Sequence, residues 1–135
     1  MPGAVIERGI ASPRAICKAD NSVFLMGDDR IFYRLDGMSL SRVSTFALED
    51  EWQDYSDFDS LLCFSYTWVG HKFVVVTFPG TAKTFELDIA TGLWHERESW
   101  DQNNRSLGRW RANCHVQAYG YELIGDSETG KIGYL

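Results

Sequence analysis

The apolar positions of this chain fall in short runs rich in β-branched and aromatic residues, separated by tight polar or glycine-containing turns. The clearest example lies between His71 and Glu98, HKFVVVTFPGTAKTFELDIATGLWHERE. Its first run is Phe73-Val74-Val75-Val76-Thr77, and Pro79-Gly80 turns it. Thr84-Phe85-Glu86-Leu87-Asp88 follows, then a Thr91-Gly92 turn and Leu93-Trp94-His95-Glu96-Arg97. Runs of this kind between Pro-Gly and Thr-Gly breaks predict an antiparallel meander. With residues 61–68 in front, the unit has four strands.

The same order occurs upstream, with strands predicted over residues 15–18, 22–26, 30–35 and 39–44. A shorter third copy has strands over 109–117, 121–124 and 131–135. Turns between first and second strands fall at Asn21, Gly70 and Gly120, 49 and 50 residues apart. The third strands carry Leu35, Leu87 and Leu135, 52 and 48 apart. A period near 50 with several strands per repeat fits kelch-type blades, each of which needs neighbours to cover its faces. The fold class read from this pattern is all-β, four-stranded antiparallel blades of a β-propeller with one short helix.

The expected organisation is a single propeller-type domain over residues 1–135, with a lead-in over 1–12 anchored by Val5, Ile6 and Ile10. Blade 1 covers 13–44, a helix and acidic linker 45–60, blade 2 61–99, a polar loop 100–108 and a partial blade 3 109–135. Three copies do not close a ring of four or more blades. The ring is therefore incomplete: either the chain is a piece of a longer protein or several chains complete a ring together, and the favoured reading is a piece whose open edge is covered by the lead-in or by a neighbouring chain.

The helix is the one break in the strand rhythm. Leu48, Trp52 and Tyr55 fall at i, i+4 and i+7, one face of a helix. Ser44 or Thr45 is placed to cap it, and Glu49, Asp50 and Glu51 suit the positive end of its dipole. Together with Asp54, Asp57 and Asp59 they form a run without a base, read as a solvated outer face.

Composition narrows the functional classes. The chain has 135 residues, 44% of them hydrophobic, and a formal net charge of −6. That balance argues against a general grip on phosphate backbones, which needs clustered Lys and Arg. Cys17, Cys63 and Cys114 form no C-x-x-C pair; each lies in a strand-like run and reads as a buried free thiol of a reduced compartment. No disulfide and no metal are expected. No signal-peptide pattern precedes residue 30, and no apolar run approaches membrane-spanning length.

Motifs for catalysis do not assemble. Residues 125–131, GDSETGK, match the first seven positions of a phosphate-cradling loop, but Ile132 stands where a Ser or Thr must hold Mg²⁺. Asp126 and Glu128 would also repel phosphates, so a hairpin turn is the reading here. His71, His95 and His115 lie on different strands, and His95-Glu96 lacks the second histidine of a zinc-protease helix. No catalytic or cofactor-binding residue is assigned. What remains is a mixture of aromatic and basic side chains, Trp94, Arg97, Trp100, Arg105, Arg109 and Trp110. Trp and Arg are enriched at protein interfaces, so these six form the candidate interaction surface, with blade-to-blade packing as the alternative role.

HKFVVVTFPGTAKTFELDIATGLWHERES, RIFYRLDG-MSLSRVST and GRWRA, in their order along the chain, resemble the packaged-DNA stabilisation proteins of short-tailed bacteriophages. The resemblance spans roughly residues 15–135. It implies a structural, non-enzymatic virion component of the tail hub, made in the host cytoplasm, that completes the head, plugs the portal exit and stabilises packaged DNA. The implied partners are portal and other tail proteins and further copies of itself, with no specific nucleic-acid binding, no membrane and no cofactor. The competing expectation is a ligand- or glycan-binding, or protein-interaction, β-propeller module.

Overall fold

A computed structural model describes residues 9–135; Val5 and Ile6 of the expected lead-in lie outside the described residues. Two four-stranded antiparallel meanders, a three-stranded one and a two-stranded hairpin account for the strands. Blade 1 is β1 (Ile16–Ala19), β2 (Ser22–Met26), β3 (Phe32–Asp36) and β4 (Ser39–Arg42). Helix α1 (Phe46–Gln53) and a 3-10 turn (Phe58–Ser60) lead to blade 2. That blade is β5 (Leu62–Trp68), β6 (His71–Phe78), β7 (Lys83–Asp88) and β8 (Leu93–Glu96). After the hairpin β9 (Glu98–Asp101) and β10 (Ser106–Arg109), blade 3 comprises β11 (Ala112–Ala118), β12 (Tyr121–Asp126) and β13 (Ile132–Tyr134).

Sequence explains the shared blade shape. Each first hairpin turns through two residues of left-handed backbone: Asp20 and Asn21 (φ 49° and 56°), Val69 and Gly70 (49° and 77°), Tyr119 and Gly120 (54° and 77°). Such two-residue turns match the twist of the flanking strands and fix the register. Thus Ala19 pairs with Ser22, Trp68 with His71 and Ala118 with Tyr121. Because side chains alternate across a strand, each blade then has two faces that the next blades can cover.

Blade 2 is covered on both. Val74, Val76, Phe85 and Leu87 pack with Phe24, Met26 and Phe32 of blade 1. Their alternates Leu62, Phe64, Tyr66 and Val75 pack with Trp110 and Ala112 beside blade 3. The continuous run Phe73–Val76 is therefore explained by burial from two sides rather than one. The first strands adjoin one another, with the Cys63 amide donating to the Arg14 carbonyl at 2.8 Å and Ser65 Oγ to the Lys18 carbonyl at 2.8 Å.

The helix seals the blade 1–blade 2 seam. Thr45 Oγ1 accepts the Leu48 amide at 3.3 Å as its N-cap. Trp52 is fully buried among Phe78, Phe85 and Trp94. At the other end Arg30 Nη1 donates to the carbonyls of Trp52, Gln53 and Tyr55 at 2.8, 3.0 and 3.0 Å. A cation there satisfies orphan acceptors and complements the negative end of the dipole.

Three expectations are corrected. Glu49 is not part of a solvated face: it is buried and held by Arg42 and Ser44, because the first turn of α1 folds back against β4. Asp50, Glu51, Asp54, Asp57 and Asp59 do lie exposed. The polar loop over 100–108 is largely a β-hairpin, pairing Trp100 with Leu107 and Ser99 with Gly108; Asp101 Oδ1 accepts the Asn103 and Asn104 amides at 2.9 and 3.2 Å and closes it. Cys114 is exposed rather than buried, since strand alternation aims it at the side of blade 3 that no described residue covers, while Cys17 and Cys63 are partly buried against the first seam.

Candidate functional site

The six aromatic and basic residues separate into two groups. Trp94 on β8 turns into the first seam, with its ring 5.5 Å from Phe32 and 5.9 Å from Trp52. Trp110 is buried in the second seam against Phe64 and Tyr66, at 6.1 and 6.0 Å between ring centroids. Arg97 lies over the Trp110 ring at 4.3 Å and reaches Tyr66 Oη at 3.3 Å and Glu86 Oε2 at 3.4 Å. Arg109 Nη2 donates to Asn113 Oδ1 at 2.9 Å, and burial lowers its pKa from the usual arginine value. Trp94, Trp110 and Arg97 thus sit in the seams, whereas Arg109 bonds within its own segment, to the Trp110 carbonyl and Asn113.

Trp100 and Arg105 differ. Both are exposed on the β9–β10 hairpin, where Arg105 occupies a left-handed turn position (φ 51°). Leu107, which sequence reasoning passed over, stands directly across from Trp100 and is also exposed. The signal for it was the short apolar–polar alternation on either side of Asn103-Asn104. Together the two present an apolar surface away from the seams.

A polar cleft of about 370 Å³ opens where the ends of β1, β5 and β11 converge. Lys18, Asp20, Ser65, Lys72, His115 and Glu122 line it. Its charges are mostly matched: Lys72 Nζ donates to Asp20 Oδ1 at 3.0 Å, and His115 Nε2 contacts the Glu122 carboxylate. The Ser65 hydroxyl donates to a backbone carbonyl rather than to a base. Asp20 also accepts from Arg34 at 3.2 Å, so the cleft wall is an ion-paired link between blades 1 and 2; Lys72 and Arg34 hold the Asp20 carboxyl below the usual carboxylate range.

The segment 125–131 is the turn between β12 and β13. Arg111 Nε donates to Asp126 Oδ1 at 2.9 Å, and the Glu128 amide donates to the same oxygen at 3.2 Å. Its backbone thus organises around a carboxylate, the opposite of an anion cradle. Among the described residues no cluster of three His, Cys, Asp or Glu side chains has metal-binding proximity, and no helix is long and apolar enough to cross a membrane.

No curated protein matches this chain. A family model described as bacteriophage P22 Gp10, beta-propeller, matches residues 1–135. The stacked blades, the 49- and 50-residue spacing of their first turns and this match agree, and the chain belongs to that phage stabilisation family.

Proposed function

We propose that this protein is a non-enzymatic tail-hub component that closes the portal exit after packaging and keeps the genome in the head. The observation that carries the reading is the family match along the whole chain. Its physical properties support it. Buried polar side chains serve blade cohesion: Glu86 meets Tyr66 and Arg97, and Thr77 and Thr84 share a hydrogen bond at 3.2 Å. Rigid blades of this kind suit a part that resists internal pressure through slow unfolding. The net charge of −6 lets DNA pass on ejection without adhering to the plug. Portal and tail proteins are the proposed partners, further copies of the chain complete the hub, and the virion tail is the proposed location.

The test is deletion of the gene from the phage that encodes it. Heads should fill, then lose DNA to added nuclease, and purified protein should restore protection. Heads that keep their genome without the protein would overturn the reading.

The polar cleft favours one second reading, a propeller that binds a small polar ligand or glycan at its axis. Saturable glycan binding that Lys18→Ala abolishes, with genome retention untouched by that change, would establish it in place of the hub.

A further inference from the structure

The first-hairpin turns of all three blades gather at one end of the stack. The Cys63 amide bonds to Arg14 and Ser65 to Lys18, so β5 runs parallel to β1. Phe64 meets Trp110 and Tyr66 meets His115, which sets β11 beside β5 in the same direction. Lys18, Thr67 and Gln117 accordingly line one polar cleft, and the turns just beyond them form its rim. Asp20, Val69 and Tyr119 lead those turns.

Two of these three residues contradict the turn chemistry. Left-handed backbone at this position favours Asn, Asp or Gly, and blade 1 conforms with Asp20. Val69 and Tyr119 instead hold φ 49° and 54°, with 81% and 93% of their surface exposed. Strain and uncovered apolar area both oppose stability, and conflicts of this kind collect where a molecule binds. Packing between blades does not account for them. Blade 2 is covered on both faces, yet Val69 stands clear, so a turn tip lies beyond whatever flanks its blade.

The charges around the rim suit one kind of partner. Asp20 is paired with Lys72 and Arg34, Asp36 with Arg34, Asp88 with His71 and Glu122 with His115. Lys18 is exposed in the cleft and, among the described residues, meets no carboxylate. Apolar tips, satisfied acids and one free cation favour an apolar segment that brings its own carboxylate. A lipid surface fits less well, because a net charge of −6 is repelled by anionic headgroups.

We propose that this rim is the docking surface for a protein segment in which one Asp or Glu stands between apolar side chains. The carboxylate reaches Lys18, and the apolar groups cover Val69 and Tyr119. The surface rests on these residues alone; that the segment belongs to another protein of the virion rests on the tail-hub reading.

Short overlapping peptides covering the other structural proteins of the encoding phage, probed with the purified chain, should reveal a bound segment of that pattern. Val69→Asn and Tyr119→Asn should each weaken binding by about tenfold, with the fold intact by circular dichroism. Val69→Asn should do so while raising the urea midpoint, a combination that a merely structural role does not give. Lys18→Glu should abolish binding, and replacing the acid of the peptide by Lys should restore it. No bound segment, binding untouched by Val69→Asn, or a charge exchange that restores nothing would each overturn the proposal. Val69-dependent binding to phosphatidylcholine vesicles in place of a peptide would overturn it too. Failure of the hub reading shows separately, as heads that keep their genome without the protein.

Discussion

Trp94 Nε1 donates to the carbonyl of Val43 at 3.0 Å, tying the last strand of blade 2 to the end of blade 1. The residues are 51 apart in sequence. The ring beyond that bond is half-buried and edges onto Phe32 and Trp52. Trp94→Ala removes the ring and orphans a carbonyl, so it should cost about 3 kcal/mol. A thermal melt beside the wild type measures it, and an unchanged midpoint would contradict the packing role.

How much of this was legible in the sequence follows from range. Strand runs and turns are local, and Asn21, Gly70 and Gly120 marked the blade phase without any tertiary knowledge. Which side of a strand is covered is not local. Val116 and Val75 look alike in sequence, but Val75 is fully buried between two blades while Val116 is 58% exposed, with no described blade on its side. The same limit explains Glu49, one acid in a run of acids, whose burial depends on Arg42 arriving from β4. Trp and Arg composition likewise did not separate seam residues such as Trp110 from the exposed Trp100.

The Glu49 contact sets an acid limit. Arg42 hydrogen-bonded to it, with help from Ser44, holds its carboxyl below the usual glutamate range despite burial. A carboxyl depressed in the folded state contributes stability that is complete above its unfolded pKa, about 4.3, and is lost as pH falls through the folded value. Asp126 is shifted the same way, first by Arg111 and then by Thr129. The melting temperature should therefore drop as pH falls below about 4, and Glu49→Gln should flatten that drop. Identical pH profiles for the variant and wild type would refute this origin.

Thiol chemistry should distinguish the cysteines. Burial pushes the Cys17 thiol up to about 12 and raises Cys63 further from reactivity, the latter also through its neighbour Cys17. The thiolate is the nucleophile, so neither should react at pH about 8 while the protein is folded. Cys114 is exposed on blade 3. Dilute native protein should take up a single maleimide, mapped to Cys114 by mass spectrometry, and three once denatured; native labelling of Cys17 would contradict the buried inner seam.

Val69 occupies backbone that suits it poorly. It is β-branched, 81% exposed, and held at φ 49° in the turn between β5 and β6. Left-handed backbone costs an ordinary L-residue about 1–2 kcal/mol, and a β-branched side chain makes a poor occupant of it. Position one of this turn type favours Asn or Asp, as the equivalent Asp20 of blade 1 shows. With so little of Val69 covered, its removal forfeits little packing. Val69→Asn should therefore stabilise the protein by about 1 kcal/mol, read as a higher urea midpoint at unchanged slope. A lower midpoint would mean that the isopropyl group makes contacts that outweigh the strain.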